Sequence, residues 1–172
     1  SVLPYNELGA AAAAYHADEK ELCRLDEIYS AAKAPFEIRS GSEKVTRRFF
    51  KICNNGRESF TGLYKSLTEQ GICNGHQCIA YGLYMRDNGI ELSEGLAVYG
   101  YSICSAIVTN CVKLVPLSQL AGQKILGESF ELISSASEKA LFTDINDIGI
   151  SGAGFDLRAM QHERLYSRQY MS

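Results

Sequence analysis

The sequence predicts an all-α protein, a single-domain helical bundle of about seven to nine helices. Its 172 residues include three prolines, and Ala, Leu, Glu and Lys are frequent, which favours helices. Apolar residues recur at helical spacing, and no two-residue hairpin turn is flanked by alternating apolar and polar residues. Short connections favour antiparallel neighbours, so a bundle is the expected arrangement.

The N-terminal region predicts two helices. A polyalanine run at residues 10–14 predicts a first helix from about Tyr5 to His16, with side chains small enough for close packing. Asp18 is a candidate N-cap for the second helix, and Pro35 ends it. The apolar residues of the second helix are Cys23, Leu25, Ile28 and Tyr29.

Three further helices are marked by apolar residues on one face and by a glycine at the C-terminal end. Gly56, Gly71 and Gly89 are the candidate C-caps. The apolar residues of the three helices are, in order, Ile38, Val45, Phe49 and Ile52; Phe60, Leu63 and Leu67; and Ile79 and Leu83.

The sixth predicted helix is long and apolar on most of its faces, so we expect it at the centre of the bundle. Ser93 is its candidate N-cap, and Pro116 breaks it. A seventh helix is predicted from about Ser118 to Ala140. The apolar residues of these two helices are Leu92, Leu96, Tyr99, Ile103 and Ile107, then Leu120, Ile125, Leu132 and Ile133.

A glycine-rich joint at residues 149–154 precedes the C-terminal region, where Asp156 is the candidate N-cap of a last helix. We assign residues 1–154 to the helical bundle, and residues 155–172 of the same domain to a C-terminal helix and tail for partner docking. The joint would let this tail order when a partner binds. Tyr and Arg are frequent in the tail and in interface hot spots. A solvated, frayed helix end is the other interpretation of this composition.

The composition is that of an ordinary soluble chain. The net charge of −3 gives no indication of nucleic-acid binding. No apolar run approaching about 20 residues stands out, so no membrane span is expected, and the first residues give no expectation of a basic-then-apolar leader. The six cysteines have irregular spacing, which is typical of buried free thiols in a reducing cytosol. The expected location is therefore cytoplasmic.

Two kinds of chemistry are alternatives to a purely structural role for the cysteines and histidines. Cys73, His76 and Cys78 have the ligand types of a zinc or nickel site, but no second cluster supplies a fourth ligand. A small helical metal-binding carrier that uses these three residues is the alternative function. A Cys–His nucleophile is the second alternative, and inert buried thiols are favoured over it.

Lys113 interrupts an apolar stretch at the end of the sixth helix. It either complements the helix dipole or presents a charge to a partner, and sequence patterns leave both open.

Two segments resemble the urease accessory protein UreF family. They are the tail, 159–172 (AMQHERLYSRQYMS), and 110–119 (NCVKLVPLSQ), the latter followed by GQKIL at 122–126. Weaker agreement is found at Glu37, Arg39, Lys44, Arg48, His76, Gly82 and Gly89. Thr46 stands where the family often has glycine, so helix packing there is expected to differ. The family normally begins with a segment rich in Pro, Gly, Ser and Tyr. We therefore expect this sequence to be the middle and C-terminal part of such a protein, or a shortened member.

The resemblance implies an all-α, non-enzymatic homodimer without a cofactor. It implies binding to the accessory protein called UreD or UreH, recruitment of the GTPase UreG, and support of nickel insertion into apo-urease. The resemblance places partner contacts at tail positions that match the family motif, namely His162, Glu163, Tyr166, Ser167, Arg168 and Tyr170. It also places Lys113 on the GTPase side and Tyr101 near the dimer contact. We expect Arg168 to clamp the tail against the bundle near Lys113, since guanidinium can bind bidentately.

Overall fold

A computed structural model describes residues 2–53, 56, 58–115, 117–150 and 152–166. Within these ranges the chain forms nine α-helices and no β-strand, which confirms the predicted all-α bundle. The helices are α1 (Glu7–His16), α2 (Glu19–Ala32), α3 (Phe36–Ile52), α4 (Phe60–Glu69), α5 (Gln77–Asp87), α6 (Leu92–Leu114), α7 (Gln119–Glu128), α8 (Phe130–Ala140) and α9 (Ala153–His162). Short 3₁₀ helices lie at Leu3–Tyr5 and Ile145–Asp147.

The core is built around the close approach of α1 and α5. Most of the polyalanine run is buried, and a Cβ atom on Gly82 of α5 would lie 2.2 Å from the backbone oxygen of Ala11. Only glycine therefore fits at this crossing. The first part of α6 and the inner face of α8 pack on α1, and Leu8 of α1 and Leu96 of α6 are fully buried. The predicted close packing of the first helix is confirmed.

Several helix ends follow the predicted start and stop signals. The Asp18 carboxylate accepts a hydrogen bond from the Glu21 N–H at 2.8 Å, and the Glu21 carboxylate accepts one from the Asp18 N–H at 3.0 Å. This reciprocal pair is a capping box. Gly71 and Gly89 follow α4 and α5 with φ of 74° and 63°, the left-handed conformation that favours glycine after a helix.

The second half of the chain differs from prediction at two helix boundaries. The single seventh helix is wrong, because α7 and α8 are separated at Ser129, whose hydroxyl donates to the backbone oxygen of Ile125. Such a side chain competes with the helical hydrogen bonds around it. The N-cap of α6 is Glu91 rather than Ser93. The Glu91 carboxylate accepts the Glu94 N–H at 2.9 Å and also the Ser93 hydroxyl.

The inner face of α3 also differs from prediction. Thr46 and Phe50 are buried, whereas Val45 and Ile52 are 40% and 80% exposed. Contacts with two helices select this face. Phe50 packs edge-on against Tyr64 of α4, with ring centroids 6.0 Å apart, and the predicted Phe49 packs against Tyr84 of α5, with centroids 5.5 Å apart. The buried Thr46 is accommodated by donating to the backbone oxygen of Ser42 at 2.9 Å.

Three further helix ends were predicted wrongly. α3 ends at Ile52, with Cys53 rather than Gly56 as its C-cap. α1 begins at Glu7, because the preceding residues form a 3₁₀ helix. The N-cap of α9 is Gly152, and Asp156 lies inside its first turn.

The joint before α9 is partly fixed to the N-terminal residues. The Gly149 N–H donates to the backbone oxygen of Tyr5 at 2.7 Å, and the Asn6 side chain donates to the backbone oxygen of Ile150 at 2.9 Å. Gly149 has φ of 103°, and a Cβ atom there would lie 2.4 Å from the Ala32 Cβ. α9 itself forms a helix in this chain alone, so the expected ordering on binding does not apply to it.

α6 is central only in its first part. Its buried residues end at Gly100, and the later turns expose apolar side chains to solvent. Among the described residues it is the one helix that is long and apolar enough to cross a membrane, with 22% of that stretch buried. The expectation that no such stretch exists is therefore wrong for α6. This criterion is weak evidence for a membrane, because core helices of soluble proteins also meet it.

Candidate functional site

α6 and α8 together expose a partly apolar surface around Val98, Tyr101 and Phe130, which we call the α6–α8 surface. Tyr101 of α6 is 40% exposed and stacks on Phe130 of α8, with ring centroids 5.7 Å apart and planes 7° from parallel. Beside Tyr101 lies a shallow groove of about 510 Å³ along α6, lined by Val98, Tyr101, Ser102, Ser105, Ala106, Thr109 and Asn110. Ile107, Leu114, Leu120, Ile125 and Leu132 are also exposed on α6, α7 and α8. Exposed apolar groups that cluster beside a groove are typical of protein interfaces.

Lys113 lies at the edge of the α6–α8 surface, exposed in the last turn of α6. It borders a groove of about 300 Å³ between α6 and α7. The two helices meet closely because Gly122 has no side chain, and a Cβ atom there would lie 2.7 Å from Val112 Cγ2. The structure thus places a cation beside a groove between two helices. The groove is lined by Val108, Thr109, Val112, Lys113, Gln119, Gly122 and Gln123.

The described part of the tail packs on the N-terminal end of α3. His162 Nδ1 lies 2.7 Å from Glu37 Oε2, and the Glu163 carboxylate accepts the Glu37 N–H at 3.4 Å. A carboxylate at this position also interacts favourably with the positive end of the α3 dipole. α9 buries no residue completely, so these polar contacts contribute to its position on the bundle.

The α3–α9 contact leaves exposed groups that a partner can bind. Tyr166 is fully exposed, and Phe36, Leu157 and Leu165 are more than half exposed. A groove of about 440 Å³ lies between the two helices and is lined by Ala34, Phe36, Leu157, Met160, Gln161, Glu163 and Arg164. Ser167, Arg168 and Tyr170 lie outside the described residues, so the expected Arg168 clamp stays a prediction.

A buried polar network, missed by sequence analysis, is centred on Asp26 of α2. Its carboxylate accepts the Tyr64 hydroxyl at 2.6 Å, the Asn74 N–H at 2.7 Å, the Asn74 side-chain amide at 2.9 Å and the Gly75 N–H at 3.1 Å. Tyr64 in turn accepts the His76 N–H at 2.8 Å. Asp26 thus joins α2 to α4 and to the loop before α5. This network holds the bundle together rather than facing a ligand.

The His76 ring extends this network in the interior of the bundle. It is fully buried, its Nε2 lies 2.7 Å from the Ser30 hydroxyl, and its Nδ1 lies 3.3 Å from the Ser42 hydroxyl. The ring also packs edge-on against Tyr29, with centroids 5.0 Å apart. Burial lowers the pKa of His76 to about 4; Asp26 opposes this shift, and Lys33 and Arg39 add to it. The ring is therefore neutral at physiological pH.

Comparison with known proteins identifies the family. The UreF family profile matches residues 2–129 of the 172. The chain belongs to the UreF family. It is 34% identical over 169 residues to the urease accessory protein UreF of Actinobacillus pleuropneumoniae serotype 5b, covering 98% of this chain and 74% of that protein. The corresponding protein of Paenarthrobacter aurescens is 31% identical over 152 residues, covering 86% and 67%. That of Streptococcus thermophilus is 28% identical over 148 residues, covering 86% and 62%.

The UreF match includes two of the predicted site residues that the structure exposes. Tyr101 and Lys113 both lie within residues 2–129, whereas His162 and the rest of the tail lie beyond them. The alignment with the Actinobacillus protein covers nearly the whole chain, the tail included. Gly82, which was part of the resemblance, is required at the α1–α5 crossing.

In this UreF chain, the three residues of the alternative metal-carrier site are not arranged to bind a metal; they are Cys73, His76 and Cys78. Among the described residues there is no group of three or more His, Cys, Asp or Glu side chains that could hold a metal ion. Both ring nitrogens of His76 face serine hydroxyls, and Cys78 is buried beside Tyr29. The geometry therefore gives the carrier hypothesis no support.

The thiol-enzyme alternative is equally weak. Burial raises the pKa of Cys78 to about 12 and also raises the pKa of Cys53, Cys73 and Cys104. A catalytic thiol needs the opposite shift. All six cysteines are free, but only Cys73 and Cys78 are fully buried, so the expectation that most would be buried is wrong.

We predict that His76 makes the fold acid-sensitive. Its pKa in the folded state, about 4, lies below the unfolded value near 6.5, so the unfolded state binds the proton first as pH falls. The stability contributed by the neutral ring is complete above about pH 6.5 and is lost as pH falls toward 4, by roughly 2–3 kcal/mol. Urea unfolding at pH 7, 6 and 5 measures this loss.

The control for this prediction is His76→Gln, whose side-chain amide can still form hydrogen bonds but does not titrate. The variant will be less stable at pH 7, yet its free energy of unfolding should fall less between pH 7 and pH 5 than that of the wild type. Equal slopes for the two proteins would show that His76 does not carry the acid sensitivity.

Proposed function

We propose that this chain is a non-catalytic subunit for urease maturation in the cytoplasm. It acts as a homodimer that binds the accessory protein UreD or UreH and, in that complex, recruits the GTPase UreG. The complex supports nickel insertion into apo-urease, with nickel as cargo rather than as a resident cofactor. Family membership and the names of the relatives support the urease role.

The observation that carries the proposal is the exposed α6–α8 surface. It combines the stacked Tyr101–Phe130 pair with a shallow groove and the exposed side chain of Val98. Leaving such side chains in water is unfavourable by about 25 cal/mol per Å² of apolar area, which favours covering them with protein. A second copy of the chain covers this surface in our proposal, with the Tyr101 region at the contact.

Two further regions are left for the other partners. The groove beside Lys113 presents one cation at its rim, which suits an acidic or carbonyl-rich segment of the GTPase. The α3–α9 region, with His162, Glu163 and Tyr166, supplies the contact to UreD or UreH. Separate regions allow the partners to bind at the same time.

We predict that Tyr101→Asp weakens dimerisation by at least about 30-fold, because it places a charge in an apolar contact and removes the stack with Phe130. Sedimentation equilibrium over a micromolar concentration series measures the dissociation constant. Ile52→Asp is the matched control, since Ile52 is 80% exposed on α3 and lies outside the α6–α8 surface. If Tyr101→Asp dimerises as tightly as Ile52→Asp, the surface is not the dimer contact.

We predict that Lys113→Glu lowers capture of UreG at least tenfold while capture of UreD or UreH is unchanged. The reversed charge repels an acidic partner segment at the groove rim. Affinity capture of the purified partners by the tagged chain, followed by quantitative immunoblotting, measures both.

The control for Lys113→Glu is Lys139→Glu. Lys139 is also exposed and also lies in the last turn of its helix, α8, so both changes have the same effect on a helix dipole. Equal loss of UreG from the two variants would mean that the effect comes from net charge or stability and not from the groove.

A further inference from the structure

Cys23 and Cys73 place two thiols in contact although they are far apart in sequence. Their Sγ atoms lie 3.8 Å apart, with Cys23 on α2 and Cys73 in the loop between α4 and α5. Cys73 is buried, whereas Cys23 is partly exposed. Because a disulfide needs sulfurs about 2.05 Å apart, the pair requires a modest movement to bond.

Backbone hydrogen bonds of the loop fix the position of Cys73 next to Cys23. The Cys73 N–H donates to the backbone oxygen of Leu67 at 3.2 Å, and the next two N–H groups of the loop donate to Asp26. Asp26 lies three residues after Cys23, so both project from the same face of α2 toward this loop. The contact between the sulfurs is thus part of a fixed junction between α2 and the loop.

We propose that Cys23 and Cys73 are a redox modification site that closes to a disulfide under peroxide. The partly exposed Cys23 thiol gives up its proton and its sulfur attacks hydrogen peroxide. The O–O bond breaks, Cys23 becomes a sulfenic acid, and the released hydroxide takes up that proton to form the first water. The Cys73 sulfur then attacks the Cys23 sulfur, the S–O bond breaks, and the departing hydroxide takes the Cys73 proton to form water. Two thiols are oxidised by two electrons, and one peroxide is reduced to two waters.

The environments of the two thiols determine which one reacts with peroxide first. Burial, together with the neighbouring Asp26 and Cys23, raises the pKa of the Cys73 thiol, so it stays protonated and is shielded from the oxidant. Cys23 reaches solvent and is oxidised first. Cys73 then resolves the sulfenic acid because its sulfur already lies 3.8 Å from Cys23 Sγ, and its proton passes to the departing hydroxide as the S–S bond forms.

The disulfide would join two elements already linked by Asp26. It would close a loop between two cysteines that are 50 positions apart, which restricts the unfolded chain strongly. Because the native junction already brings the sulfurs together, the fold is retained. The expected result is a rise in melting temperature of roughly 5–10 °C on oxidation, reversed by dithiothreitol.

The test oxidises the reduced wild-type chain with a small excess of hydrogen peroxide, blocks free thiols with N-ethylmaleimide and maps disulfides by non-reducing peptide mass spectrometry. The expected product is an intramolecular Cys23–Cys73 peptide with the loss of two hydrogens, and a higher melting temperature. Since this measurement uses the unmodified sequence, it does not depend on the folding of a variant.

The controls are Cys23→Ser, which should abolish both the cross-linked peptide and the thermal shift, and Cys104→Ser, which should leave both unchanged. Cys104 and Cys111 are seven residues apart on α6, about 10.5 Å along the helix, and cannot bond within one chain. Recovery of Cys73 as a free, blocked thiol while Cys23 is sulfinic would overturn the proposal. So would disulfides that form only between chains.

Discussion

Replacing Asp26 with alanine is expected to lower the free energy of unfolding by about 3–5 kcal/mol. The carboxylate accepts four hydrogen bonds in the interior, from Tyr64, from Gly75 and twice from Asn74. Alanine would leave these donors buried without an acceptor, and the penalty for unpaired buried groups exceeds the gain from any single hydrogen bond. Urea denaturation monitored by far-ultraviolet circular dichroism measures the change.

Two further substitutions in α2 serve as comparisons for Asp26→Ala. Asp26→Asn keeps one acceptor oxygen and should recover part of the stability. Glu27→Ala, one residue later on the exposed side of the same helix, should change stability by less than about 0.5 kcal/mol. A small effect of Asp26→Ala, close to that of Glu27→Ala, would mean that the network does not hold the α2–α5 junction.

Gly82→Ala is expected to destabilise the fold by about 3 kcal/mol or more. The added methyl carbon would lie 2.2 Å from the backbone oxygen of Ala11, and a backbone atom cannot move aside as a flexible side chain can. α1 and α5 would have to separate, which loosens the buried polyalanine contact at the centre of the bundle. Thermal and urea unfolding measure the loss.

Gly41→Ala is the matched control for Gly82→Ala. Gly41 lies inside α3, and an added Cβ atom would meet nothing within 4 Å. Alanine has the higher helix propensity, so this variant should be more stable by about 0.5–1 kcal/mol. Opposite signs for the two glycine substitutions are the expected pattern. If Gly82→Ala were neutral, the close crossing of α1 and α5 would be wrong.

Local sequence signals predicted the helices better than the contacts between them. The capping box at Asp18 and the glycines that end α4 and α5 act within a few residues, so they could be identified directly. The inner face of α3 could not, because contacts with α4 and α5, which are distant in sequence, bury Thr46 and Phe50 and leave Val45 and Ile52 exposed. The break at Ser129 was missed because the apolar spacing continues across it.

In the candidate site, too, single positions could be predicted but contacts between distant residues could not. Tyr101 and Lys113 could be placed on one long helix, and both are exposed there. The polar network was missed because its members are distant in sequence, and only the folded bundle brings Asp26 to Tyr64 and to the loop before His76. The pairing of His162 with Glu37 spans 125 residues and was missed for the same reason.

The central claim is that the chain works by docking other proteins, with its C-terminal helix and tail as a main contact. The most direct test is affinity capture of UreD or UreH from a urease-producing cell extract by the full chain and by a chain ending at Gly154. α9 buries no residue completely, so the shorter bundle should fold with unchanged helicity apart from the missing helix. We expect stoichiometric capture by the full chain and a loss of at least tenfold on truncation. Equal capture by a folded truncated chain would contradict the claim.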